Sequence, residues 1–389
     1  MALIKLNTRS IPDAAITPAK VSQNLGRRNI IINGQFQVAQ YATSVSSTDG
    51  TNEDYTTVDR WFFRYGNNAP GTMTISQSDD APVGFAKSWK FDVTATGTAT
   101  GNGHTLFSQF IESEHLRNCG WDYTNPNSYL TLSFWIKSSR TGIYCVGMDA
   151  NDVGGNFKFV KEYTITQANV WEKKTVSMPG HASLVFNNDN TRGAELGWNL
   201  ASGGDRDNAT DNTWHTADAS RVTSNQVNFL DSTDNNLYIT GVQLEAGSEA
   251  TEFERMSFSE ELAICKRYFQ KSGDYNQYMT NGSSTTSFGT GAKAWAPCVE
   301  WGGSVAGHAT HILSVEMRAT PSITKYGNSQ GYWGYISSGG SAPTSDNSLA
   351  FHIHLYIGAD GTGVLGVNNQ ASGSTIWGAM GGWTASAEI

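Results

Sequence analysis

Apolar residues recur at every second position through much of this chain. In SWKFDVTAT, Trp89, Phe91 and Val93 fall on one face and Lys90, Asp92 and Thr94 on the other, which is the period of a half-buried β-strand. YLTLSFWIKSS repeats the pattern with Leu130, Leu132, Phe134 and Ile136 inward, while Tyr129 and Trp135 make its other face half aromatic. RNIIINGQFQVAQ predicts an opening strand, an apolar run followed by Phe36 and Val38 alternating with Gln35 and Gln37. In NLYITGVQLE the phase changes at Gly241, so that Leu237 and Ile239 oppose Val242 and Leu244 in parity. A β-bulge at the glycine would return both pairs to the core. Such strands, separated by loops rich in Gly, Asn and Asp, predict two antiparallel sheets face to face, a jelly-roll β-sandwich over residues 29–255.

The period changes once. Ser257 and Glu260 form a capping-box pair, and Phe258, Leu262, Cys265 and Phe269 then follow at helical spacing. Glu260 and Glu261 in the first turn and Lys266, Arg267 and Lys271 later suit the macrodipole, with Gly273 as a stop. A linker helix of roughly 15 residues within 256–273 is predicted; too short to be stable alone, it needs a docking surface and should make a rigid junction. Residues 274–389 return to strand patterns. HILSVEMRATPSITKY alternates Leu313, Val315 and Met317 before Pro321, and FHIHLYIG alternates Phe351, Ile353, Leu355 and Ile357 with His352, His354 and Tyr356. A smaller C-terminal β-sandwich is expected there, joined by the turns GADGTG and SGGSAP. The fold class is therefore mainly β: an N-terminal extended arm, a jelly-roll sandwich, one linker helix and a second sandwich.

Two stretches break the alternation. Residues 1–28 scatter small apolar anchors, Leu3, Ile4, Leu6, Ile11, Pro12 and Ile16 among them, without a core period. Such a segment cannot order itself, so it is expected to be held by sister subunits, by a larger assembly or by its own domain. Residues 185–228 read as the longest polar insertion, with Trp198 and Trp214 embedded in it. Each indole either anchors the loop or offers a stacking surface for sugar.

Composition narrows the class. Only 16% of the 389 residues are charged, against about 25% in ordinary soluble domains, and Gly, Ser, Thr and Asn fill the deficit. A net charge of −9 without a basic stripe argues against nucleic-acid binding. No apolar run reaches the length of a membrane span, and MALIKLNTRS lacks a signal-peptide core, so synthesis in a cytosol is expected. The four cysteines, Cys119, Cys145, Cys265 and Cys298, are widely spaced and read as reduced packing residues.

Three blocks carry a family resemblance. They are NIIINGQFQVAQYATS with YTTVDRWFF, which holds Asp59, Arg60 and Trp61; YLTLSFWIKSS; and GVQLEAGSEATEFERMSFSEELAICKRYFQ. In this order they resemble the opening strand and aspartate-arginine-tryptophan motif, central strand, and closing strand with linker helix of tailed-bacteriophage tail fibres and receptor-binding appendages. MRATP and the terminal WTASAEI are similar to the C-terminal module of that family. The resemblance spans nearly the whole chain and is most specific in the third block. It implies a homotrimeric virion protein assembled in the host cytoplasm. The N-terminal arm would grip other virion proteins, the sandwich would be carbohydrate-binding-module-like, and the C-terminal part would serve trimerisation and binding of a host surface glycan. Neither nucleic-acid binding nor membrane insertion is implied. One departure is the lack of a long shaft, which suggests a short tail fibre and leaves a head-attached fibre or decoration protein open.

Candidate chemistry is sparse. In GYWGYISSGG, Tyr332, Trp333 and Tyr335 form an aromatic patch for glycan binding or for trimer packing. His352 and His354 share a strand face, and three copies could supply imidazoles to a transition metal on a trimer axis or simply pack at an interface. Asp59 and Glu252 are conceivable structural calcium ligands or surface salt-bridge partners, and no other cofactor is expected. Asp79, Asp80, Glu112 and Glu114 are the carboxylates that a polysaccharide depolymerase could recruit. No nucleophile elbow, P-loop or zinc spacing accompanies them, so a non-catalytic protein is the expectation.

Overall fold

The computed structural model describes residues 27–389 except 48–52, 67–68, 70, 151, 153–155, 217–219, 274, 276–278, 281–293, 298, 302–303, 308–312, 327–333, 338–351, 358–362 and 369–375. The alternating stretches of the first two-thirds become strands. They are β1 (Ser44–Ser47), β2 (Glu53–Tyr55), β3 (Phe62–Gly66), β4 (Thr72–Ser78), β5 (Ser88–Ala95) and β6 (His104–Glu112), then a short helix α1 (Ser113–Asn118). After it come β7 (Tyr129–Ser138), β8 (Gly142–Ala150), β9 (Phe157–Ile165), β10 (Glu172–Pro179), β11 (Arg192–Ser202), β12 (Thr213–His215) and β13 (Asn236–Ala246).

Two antiparallel sheets result, ordered β1-β4-β5-β13-β7-β10 and β12-β9-β8-β11-β6-β3-β2. Their inner faces meet through aromatic rings: Trp89 lies 5.5 Å from Phe107, and Phe134 5.4 Å from Trp198. Leu130, Leu132, Phe134 and Ile136 are fully buried, as their alternation requires. Each such side chain contributes roughly 1.5–3 kcal/mol of burial. The phase change in β13 is a bulge: its register against β7 shifts between Thr240 and Gln243, and Gly241 has φ +62°. Leu237, Ile239, Val242 and Leu244 all reach the core. The expected polar insertion needs correction, because β11 runs through it with Leu196, Trp198 and Leu200 buried.

The predicted opening strand also needs correction. Residues 29–40 form bends and turns, with Asn33 and Phe36 in the left-handed region at φ +57° and +56°. Side chains supply the hydrogen bonds that a ladder would have made. Ile32 N–H donates to Gln109 Oε1 (2.9 Å), Asn33 N–H to Glu261 Oε1 (2.5 Å), Val38 N–H to Asn33 Oδ1 (3.0 Å) and Ala39 N–H to the Tyr275 hydroxyl (2.6 Å). Phe36 and Val38 are buried all the same.

Helix α2 spans Phe258–Lys266 and carries the complete Ser257–Glu260 capping box. It is shorter than its sequence pattern suggests. Phe269 belongs to β14 (Phe269–Lys271), whose pairing with the C-terminal strand satisfies the backbone that a longer helix would have used. The expected apolar stripe is also revised: Phe258 is 42% exposed, and the buried helix residues are Glu261 and Cys265.

The C-terminal part adds β15 (Ala294–Pro297), β16 (Val299–Trp301), β17 (Ser304–Gly307), β18 (Ser322–Tyr326), β19 (Gly334–Ser337), β20 (His352–Ile357), β21 (Gly363–Asn368) and β22 (Ile376–Ser386). One sheet is organised on β22, which pairs with β14, β15, β18 and β19; the other runs β16-β17-β21-β20. Residues 313–320, expected to be strand, are irregular, and the strand begins only after Pro321. Gln270 takes over there, accepting from Ser314 N–H (2.9 Å) and donating to Val315 O (2.7 Å). Cys119, Cys145 and Cys265 are free thiols, and Cys298 lies outside the described residues.

Candidate functional site

The Asp59-Arg60-Trp61 motif joins the sandwich to the C-terminal sheet. Arg60 sits at φ +71°, a conformation that costs a non-glycine residue energy and is retained where the surroundings fix it. Its guanidinium pairs with Glu388, donates to Phe110 O (2.8 Å) and lies 3.6 Å over the Tyr268 ring. Arg60 and Glu388 are both almost fully buried. Burial pushes the Glu388 carboxyl up, although Arg60 opposes this. Asp59 is buried too and accepts from both the backbone and the side chain of Gln40. Burial raises its pKa to about 7 against those hydrogen bonds. Trp61 donates to Asn33 O (3.1 Å) and packs on Phe36, Trp89 and Trp198.

Helix α2 is tied in from the other side. Tyr268 and Arg267 both donate to Glu112 at the end of β6. Arg318 N–H donates to Arg267 O (2.9 Å), and Arg318 Nε to Ala387 O (2.7 Å). Ile32, Val38, Cys265 and Tyr268 form a small apolar cluster beneath these bonds, with Leu262 and Ile389 against it. Segments from both parts of the molecule thus hold the helix.

A cleft of about 200 Å³ opens beside this junction. Tyr41 and Tyr55 from the sandwich, Phe269 from β14 and Tyr326 from β18 supply its rings. Tyr41 stacks on Phe269 at 3.8 Å between centroids, and Tyr55 lies 6.1 Å from Tyr41 in near-parallel orientation. Their hydroxyls reach inward, Tyr41 to Glu388 Oε1 and Tyr55 to Ile389 O, both at 3.3 Å. Burial pushes both phenols above their ordinary range, so they remain neutral donors. Asp54, Lys271, Thr384 and Ser386 add a carboxylate, an ammonium and two hydroxyls to the wall. The arrangement offers flat apolar faces with polar groups between them.

The sequence candidates that fall on described residues are placed elsewhere. Trp198 is fully buried in the core, so it cannot be a sugar platform. Trp214 is half-buried on the edge strand β12, 5.5 Å from Phe159, with its Nε1–H donated to Pro179 O (2.8 Å), which makes it a loop anchor. Tyr335 lies in β19 opposite Ala379 of β22, while Tyr332, Trp333 and the arm residues Leu3, Ile4, Leu6, Ile11, Pro12 and Ile16 lie outside the described residues. His352 and His354 are two apart in β20, opposite Asn368 and Gly366, and therefore share a face. Asp59 is no surface calcium ligand, being buried beneath Gln40, and Glu252 meets Arg28 through its main-chain oxygen.

The other carboxylates are already engaged. Asp79 pairs with Lys87, and Asp80 with Lys137 and the Trp171 indole. Glu112, Glu114 and His115 converge within 4.8 Å, but Arg267 and Tyr268 fill the Glu112 side of that group and disfavour a cation. Sequence reasoning missed Tyr41, Tyr55, Phe269, Tyr326, Lys271 and Glu388. The only signals were their places beside the opening motif, after the helix, at the end of MRATPSITKY and in the terminal WTASAEI.

No protein-family model matches the sequence, and no curated protein matches it. Solved structures that it resembles include the enzymatically active domain of bacteriophage CBA120 tailspike protein 4, at 16% identity and a TM-score of 0.30 over 56% of this chain. This chain spans only 21% of that one. Another is a family 11 carbohydrate-binding module from Clostridium thermocellum in complex with a mixed-linked tetrasaccharide, at 12% identity and a TM-score of 0.27, covering 52% of this chain and 98% of that one. A third is TmCBM61 in complex with beta-1,4-galactotriose, at 12% identity and a TM-score of 0.23, covering 57% and 100%. None of these likenesses assigns an activity to this chain.

Proposed function

We propose that this chain is a non-catalytic virion appendage, a short tail fibre that holds a host surface glycan in the junction cleft. The observation that carries the reading is the cleft itself, in which aromatic rings alternate with hydroxyl, ammonium and carboxylate groups. A pyranose has an apolar C–H face and a polar hydroxyl edge, and such a wall complements both. At about 200 Å³ the cleft lies below the roughly 300–1,000 Å³ of drug-sized pockets, a size for one sugar unit or chain end. The family resemblance supports the rest of the proposal: three copies assemble, and residues 1–28 grip the particle at the tail or, in the alternative reading, the head. His352 and His354 are carried forward as candidate ligands of an axial metal, to be checked by elemental analysis of the trimer.

The test is adsorption to host cells and binding of their purified surface polysaccharide by the trimer. Tyr326→Ala should weaken binding about tenfold, the equivalent of one ring contact of roughly 1.5 kcal/mol, with no release of reducing sugar. Unchanged binding in Tyr326→Ala together with loss in Trp333→Ala would move the site out of the cleft. Release of reducing ends would make the protein a depolymerase.

A further inference from the structure

The outer face of the seven-stranded sheet holds a second, differently built site. Ser108, Gly197, Gly147 and Val160 are successive cross-strand partners on β6, β11, β8 and β9. The two glycines leave a floor without side chains. Glu195, Asp149 and Lys158 form one wall in the adjacent row, and Leu106 and Asn199 the other. Ser220 and Arg221, from the loop after β12, close it over a cavity of about 30 Å³, room for one or two waters or a carboxylate group.

The polar groups of this trough are not all paired. Glu195 is almost buried; it accepts from Ser108 Oγ (2.7 Å) and Arg192 Nη2 (3.0 Å), with Arg64 Nη1 at 3.8 Å. Asp149 pairs with Lys158 at 3.0 Å. Arg221 then remains with no ion pair among the described residues, and its Nε is buried without a partner. Burial and the neighbouring Arg206 and Arg64 lower its pKa, while Glu195 and Asp149 oppose this. Two further buried atoms of the lining lack hydrogen-bond partners, Asn199 Oδ1, on a residue 5% exposed, and Asp149 Oδ1, and both want a donor. Unpaired buried polar atoms cost about 1–3 kcal/mol each, so their coincidence in one trough points to a ligand.

We infer that the trough binds an acidic saccharide, a uronic-acid unit whose carboxylate meets Arg221 and whose hydroxyls donate to Asn199 Oδ1 and Asp149 Oδ1. A neutral sugar would leave the arginine unpaired, and an inorganic anion would leave the Asn199 acceptor unpaired. The cavity admits the carboxylate while the ring stays at its mouth. The inference deepens the glycan-binding reading and rests on it, but at a site distinct from the junction cleft.

The test is titration calorimetry of the full chain with trigalacturonate, neutral galactotriose and sodium sulfate. Trigalacturonate should bind with an affinity that falls as salt is raised, and Arg221→Met should weaken it at least about tenfold, as loss of a charge-assisted pair does. Gly197→Ala provides a second variant. A Cβ there meets only ordinary contacts, Ser108 at 3.5 Å and Leu106 and the Phe107 carbonyl at 3.7 Å, so the methyl group stands on the floor without disturbing the strand and should weaken binding at least about tenfold. Trigalacturonate binding unchanged in both variants, or lost in Tyr326→Ala alone, would overturn the trough while leaving glycan binding intact. Equal affinity for sulfate would overturn the saccharide assignment. Failure of every glycan to bind would remove the glycan reading, and this inference with it.

Discussion

The sandwich interior and the junction beside it are built from opposite materials. Between the sheets, Trp89, Phe91, Phe107, Phe134 and Trp198 pack ring against ring with no charge among them. At the junction, Asp59, Arg60, Glu388, Glu112 and Glu261 are buried and held by specific hydrogen bonds. Apolar packing tolerates repacking as long as volume is kept. A buried ion pair is weak evidence of stability but is lost as a unit when one partner goes. The sandwich therefore supplies cohesion, and the junction fixes one orientation of the C-terminal sheet, and with it the shape of the cleft.

The largest expected effects separate these roles. Trp198→Ala should cost about 3–5 kcal/mol, the usual penalty for emptying an aromatic core site, and should lower the melting of the whole chain. Arg60→Met should cost a similar amount, about 3–5 kcal/mol, because it strands Glu388 in a buried site. Its signature differs, however: calorimetry should resolve the single transition into two as the C-terminal part comes free. A single, uniformly lowered transition in Arg60→Met would break the comparison.

Gly241→Ala tests the bulge. At φ +62° a Cβ would lie 2.6 Å from Phe85 Cζ, so a loss of about 1–3 kcal/mol in chemical denaturation is expected from strain and overpacking.

Acid–base behaviour gives a smaller and more selective effect. Asp59 titrates near 7 in the fold against an ordinary value of 3.8. Its protonated form is thus favoured by folding, and that contribution, full below about 4, is lost as pH rises to about 7. His104 acts with the opposite sign, since burial holds it down to about 4 from 6.5 and the stability it contributes above 6.5 is lost as pH falls. The readable quantity is the difference between wild type and Asp59→Asn. Melting temperatures should show wild type losing ground to the variant between about pH 4 and 7, and a flat difference would remove the assignment. The smallest effect is that of Ser257→Ala, about 1 kcal/mol for the lost cap, seen as faster hydrogen exchange in α2 with the cleft intact.

What could be read from sequence follows the same division. Alternation and burial are one statement in β5 and β7, so those strands and their inward residues were visible directly. The Gly241 bulge was visible because a phase change in an apolar pattern has few other solutions. Residues 29–40 were misread because their apolar pattern matches a strand, while their backbone partners are side chains distant in sequence, from Gln109 to Tyr275. Helix α2 was overextended because Phe269 keeps the helical phase yet gains more from pairing with β22. The cleft was illegible for a related reason: Tyr41, Tyr55, Phe269 and Tyr326 come from four separated segments, and only the tertiary fold assembles them.

The central claim is the proposal that the junction shapes a cleft for a glycan. The direct measurement is a structure of the full chain soaked with oligosaccharides cut from bacterial surface polysaccharide. The account predicts a sugar ring in the cleft against Tyr326, beside the edges of Tyr41 and Tyr55, with hydroxyls on Lys271 and Asp54. Sugar ordered elsewhere on the molecule, with the cleft unchanged and empty, would contradict it.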